Sequence, residues 1–95
     1  MSEQNEINLK DAILKILIEF DERDRGWYYG SEGIQDELYV QYKLSPTMKE
    51  IKVHLRALKA ENLAITQPIF SEDGKLNGSG WFFNYYKYPN GLKEI

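Results

Sequence analysis

Leu44-Ser45-Pro46-Thr47-Met48-Lys49-Glu50-Ile51-Lys52-Val53-His54-Leu55-Arg56-Ala57-Leu58-Lys59-Ala60-Glu61-Asn62-Leu63-Ala64 reads as a turn, one amphipathic helix and the entry to a strand. Leu44–Thr47 combines hydroxyl side chains with a proline, the chemistry of a turn that opens a helix. Ser45 is a candidate cap with Pro46 in the first helical turn, and Thr47 with Glu50 has the spacing of a capping box. Met48, Ile51, Leu55 and Leu58 recur at helical spacing and give the helix one apolar side. It is expected to end at about Glu61 or Asn62, with Asn62 as a C-cap candidate.

Upstream of this stretch two more helices are predicted. Asn8 is an N-cap with Asp11 three residues on, and Leu9, Ala12, Ile13, Ile16, Leu17 and Phe20 share an arc of roughly 140°. That helix is expected to stop near Asp24-Arg25-Gly26, with Gly26 as a left-handed cap. Trp27-Tyr28-Tyr29 is a short strand, and Ser31 opens a second helix to about Tyr42 through Ile34 and Leu38. Downstream, Leu63–Phe70 and Trp81–Tyr88 read as strands. Asp73-Gly74 and Asn77-Gly78-Ser79-Gly80 between them read as turns. Pro68 lacks a ladder donor, so Leu63–Phe70 belongs at an edge. The expected order therefore has Trp81–Tyr88 in the centre and Trp27–Tyr29 on its other side.

Ninety-five residues make one domain, since a single core splits only well above that size. Residues 1–7 and 89–95 are expected to fray. Cysteine is absent and His54 is the only histidine, which excludes a thiolate zinc site, a Cys nucleophile and a His–His pair. No nucleophile with a base, phosphate-binding glycine loop or paired-carboxylate site stands at a recognisable spacing, so no enzyme, cofactor or metal is expected. No apolar run reaches the ~20 residues of a membrane span. The polar start Met1–Glu6 does not read as a signal peptide, and the expected location is cytoplasmic.

This order of elements resembles the winged helix-turn-helix superfamily over about Leu9 to Tyr88. The stretches that carry the likeness are Gly30–Leu38, Leu44–Thr47 and His54–Ala64, the last with Asn62 where glycine is frequent. The resemblance implies an α+β fold of three helices and a three-stranded antiparallel sheet, the hairpin serving as the wing. It also implies double-stranded DNA as partner, with the third helix in the major groove.

The residues are consistent with that use. The net charge of −3 divides into −6 over residues 1–41 and +3 over residues 42–95, so the second half can present a basic face. On a helical projection Lys49, Lys52, Arg56 and Lys59 fall within about 80°, with Glu50 and Glu61 away from them. Lys49, Lys52, Val53 and Arg56 are candidate base or backbone contacts, Arg56 suiting a guanine. Ser45 and Thr47 are candidate phosphate donors. Lys75 and Asn77 at the hairpin tip are candidate minor-groove or phosphate contacts, opposed by Glu72 and Asp73.

Leu14 and Ile18 lie off the core arc of the first helix and are expected to form a homodimer interface. Alternation along Trp81–Tyr88 predicts one covered aromatic face and one partly exposed. The alternative to DNA binding is a protein-interaction module that uses the acidic first half and this aromatic sheet.

Overall fold

A computed structural model describes residues 8–25 and 28–90. The architecture is α+β, with elements in the order α1 (Leu9–Arg23), β1 (Tyr29–Gly30), α2 (Ser31–Tyr42), α3 (Met48–Ala60), β2 (Ala64–Phe70) and β3 (Leu76–Phe83). The three strands form one antiparallel sheet in the order β1-β3-β2. The edge position of β2 follows from Pro68, as the sequence implies.

Each helix has an identifiable start and stop. Asn8 caps α1 by accepting from the Asp11 amide at 2.9 Å. α2 ends at Lys43, which takes φ 57°, and the Leu44 amide reaches back to the Leu38 carbonyl at 3.2 Å. α3 stops in the same way: Asn62 adopts φ 63°, and the Asn62 and Leu63 amides donate to the carbonyls of Lys59 and Leu58. Asn62 is suited to this, because asparagine enters the left-handed region more readily than most residues. Gly26 and Trp27, expected as a cap and a strand residue, lie outside the described residues.

The core is built where the three helices meet the sheet. Ala12, Ile13, Ile16, Leu17 and Phe20 of α1 pack with Ile34 and Leu38 of α2 and with Ile51, Leu55 and Leu58 of α3. Ala64, Trp81 and Phe83 close it from the sheet. Phe20 stacks on Tyr29 with ring centroids 3.7 Å apart, tying α1 to β1.

Four expectations need correction. First, β3 begins at Leu76, not Trp81, so Asn77-Gly78-Ser79-Gly80 is strand and the hairpin turns only at Ser71–Lys75. Asp73 closes that turn by accepting from the Lys75 amide, with Gly74 at φ 85°. The second glycine signal serves an irregularity: the register slips between Pro68 and Phe70, and Gly78 takes φ 104°.

Second, β3 ends at Phe83. Asn84 terminates it, its side-chain amide donating to the Asn62 carbonyl at 2.8 Å and its side-chain oxygen accepting from the Lys87 amide. Trp81, Phe82 and Phe83 are all buried, so both faces of this stretch are covered and the expected partly exposed aromatic face is not there; the exposed Tyr86 lies beyond the strand.

Third, Ile18 is only 5% exposed and belongs to the core, and Leu14 packs against it half-buried. The chain after β3 turns back along α1. There Arg25 Nη2 donates to the Pro89 carbonyl at 2.7 Å, and the guanidinium lies over the Tyr85 ring at 5.0 Å. Ile18 lines a small cavity with Asp21, Pro89 and Asn90. The apolar surface that suggested a dimer through Leu14 and Ile18 is thus largely covered, and Pro89 is tied down rather than frayed. Fourth, Thr47 alone caps α3, with Pro46 just ahead of the cap rather than in the first turn. Among the described residues no helix is long and apolar enough to cross a membrane.

Candidate nucleic-acid interface

The rotation of α3 is set by its apolar side. Ile51, Leu55 and Leu58 are fully buried, so the opposite side must face outward. Lys49, Lys52, Arg56 and Lys59 are all exposed there. Val53, 50% exposed, stands among them. Among the described residues none of these four cations is in an ion pair; the pairs present join Lys10 to Glu61 and Arg25 to Asp21.

The start of α3 is fixed by a reciprocal capping box. The Glu50 amide donates to Thr47 Oγ1 at 3.2 Å, and the Thr47 amide donates to Glu50 Oε1 at 2.9 Å. The Thr47 backbone and hydroxyl, both donating to the carboxylate, hold the Glu50 pKa below its ordinary value. This alters the part expected of Thr47. Its hydroxyl is engaged with Glu50, and an ionised carboxylate already sits at the helix start. The Thr47 hydroxyl and the Glu50 amide are thus bonded to each other within the cap. Ser45 is exposed, but it lines a groove beside α2 with Leu44 and Pro46, apart from the cations.

A cleft of about 600 Å³ opens between α3, the start of α2 and the hairpin. Lys52 and Arg56 line it from α3, Ser31 and Glu32 from α2, and Asn77 and Ser79 from β3. The fold thus gathers Lys52, Arg56 and Asn77 around one space. Lys49, Val53 and Lys59 extend the basic face along α3 outside it. Lys75 sits at the exposed hairpin tip with Glu72 and the internally bonded Asp73. Gly30, which also lines the cleft, pairs with Gly80 across β1–β3.

Ser31, Glu32 and Ser79 are polar lining residues that the sequence did not single out, Glu32 adding an anion to the cleft. For Ser79 the signal was masked by the turn-like Asn77–Gly80, and for Ser31 only its helix-opening role was legible. Among the described residues no group of three or more His, Asp or Glu is placed to hold a metal ion. His54 is half-buried on α3. No family model matches the chain, and neither a curated protein nor a solved structure shows significant similarity to it.

Proposed function

We propose that this protein is a winged helix-turn-helix that binds duplex DNA and acts as a transcriptional regulator, with α3 in the major groove. The observation that carries the reading is the set of four exposed cations on one side of α3, unpaired among the described residues. Each such cation gains by releasing condensed counterions when it meets a phosphate. The succession α2, turn, α3, hairpin is the layout this reading requires.

Roles follow from position. Arg56 suits a bidentate contact to a guanine edge, and Val53 offers an apolar contact to a thymine methyl. Lys49 and Lys59, at the two ends of the exposed side, suit backbone phosphates. Asn77 borders the cleft opposite Lys52 and Arg56 and can donate to the strand that passes between α3 and the hairpin. Regulation would work by occupancy of an operator.

The test is selection of bound sequences from a random duplex pool, scored against a Lys52→Glu/Arg56→Glu control. The wild type is expected to enrich a motif that the control does not. Affinity should fall with salt at a log–log slope of about −3 to −4 if all four cations meet phosphates. A folded protein that enriches nothing and binds no duplex at low salt would overturn the proposal.

A further inference from the structure

Two apolar features remain unpartnered, one convex and one concave. The convex one is the distal hairpin. From Gln67 to Ser79 every residue except the half-buried Ile69 is exposed, so this arm has no core beneath it. Phe70 and Leu76 stand directly opposite each other in the β2–β3 register, and are 61% and 67% exposed. Residues opposed in this way project from the same side of the ribbon, so they form one apolar knob.

The concave feature lies on the other side of α2 from its buried Ile34 and Leu38. Tyr39 and Val40, 58% and 64% exposed, line a groove of about 570 Å³ with Leu44 and Pro46. Its shape is set in advance by Gln35, whose side-chain amide donates to the Pro46 carbonyl at 3.2 Å.

We propose that these two features meet between copies of this chain, in a closed dimer in which each arm seats Phe70 and Leu76 in the partner's α2 groove. Charge favours the pairing. The groove carries Asp36 on its wall, and Lys43 lies over the Tyr39 ring at 5.3 Å. The arm brings Lys75 together with Glu72 and with Asp73, whose carboxylate is already bonded to Ser71 and to the Lys75 amide, so Lys75 is left to meet Asp36 and Glu72 to meet Lys43. Area decides between a chain of copies and a closed pair. One docking hides roughly 500 Å² of these four side chains, well under the ~1,200 Å² at which specific interfaces become stable. Reciprocal docking doubles that contribution, with backbone and rim adding the remainder. A two-fold axis exchanges the two contacts without leaving either end open. The proposal is independent of whether α3 binds DNA.

The experiment is sedimentation equilibrium on three samples of the full chain: wild type, an arm variant (Phe70→Ser/Leu76→Ser) and a groove variant (Tyr39→Ser/Val40→Asp). All four positions are exposed, and circular dichroism checks that both variants stay folded. The wild type is expected to dimerise at micromolar to tens-of-micromolar concentration, and each variant alone to be monomeric. An equimolar mixture of the two variants retains one intact arm and one intact groove. It is expected to regain a heterodimer at least tenfold weaker than the wild-type pair. A wild type that stays monomeric at 1 mM, open-ended polymers, a variant that still dimerises, or a mixture that dimerises as tightly as the wild type would each overturn the arrangement.

Discussion

Gly80 shows how much a single position can depend on a neighbour that the sequence does not advertise. A Cβ at this position would come within 2.8 Å of Tyr28 Cγ, inside any real contact distance. Its φ lies outside the left-handed region, so space rather than conformational freedom excludes a side chain. Gly80→Ala is therefore expected to cost about 1–3 kcal/mol, the range for overpacking a closed site. Urea unfolding should show it as a lower midpoint with unchanged slope. Gly80→Ala combined with Tyr28→Ala should lose less than the sum of the two single changes, because the clash is shared. From the sequence, Gly80 looks like one more residue of a glycine-rich turn. Alternation and turn propensity are local signals, and the approach of Tyr28 is a tertiary fact.

At the scale of elements, the helices were legible and the strands only in part. The capping pairs Asn8/Asp11 and Thr47/Glu50, and the apolar spacing of Ile51, Leu55 and Leu58, locate α1 and α3 to within a residue or two, because those rules act inside one element. β3 was misplaced by five residues at each end. Its first half is specified by pairing with Gln67–Phe70 and its end by Asn84, neither of which is a local pattern. The outward cations of α3 were legible for the same reason that its core was, since burying one side of a helix assigns the other. The engagement of Thr47 with Glu50 is legible as spacing, whereas the occupation of the Thr47 hydroxyl by that carboxylate is a matter of side-chain geometry. That capping box has a pH signature. Glu50 is held below its ordinary pKa, so its contribution to stability is complete at neutral pH and is lost as pH falls through the carboxylate range. Glu50→Gln should lower the Tm at pH 7 and narrow its gap to wild type as pH falls toward 3. Thr47→Ala should cost about 1 kcal/mol at pH 7. Thermal melts of the three proteins across that interval check both.

Across the whole molecule, one side chain joins the two ends of the fold. Arg25 donates to the Pro89 carbonyl and, at 3.4 Å, to Asp21, whose side chain is only 6% exposed and whose second oxygen has no hydrogen-bond partner among the described residues. The sequence shows Asp21, Glu22 and Asp24 only as acids at the unfavourable end of a helix. The return of the chain after Asn84 gives Asp21 its reason. Arg25→Met should cost roughly 1–2 kcal/mol, reduced from the cost of a fully buried pair because Arg25 is half exposed. Hydrogen exchange should then quicken at the Tyr88 amide, which donates to the Asn84 carbonyl, before it quickens in α3. The two partners of this contact are 64 residues apart in the chain. At about 5–20 residues per second, a ribosome takes roughly 3–13 s to deliver Pro89 after Arg25. For those seconds the nascent α1 has Ile18 uncovered and Asp21 without the segment that closes over it, and that interval is when a chaperone would find this chain.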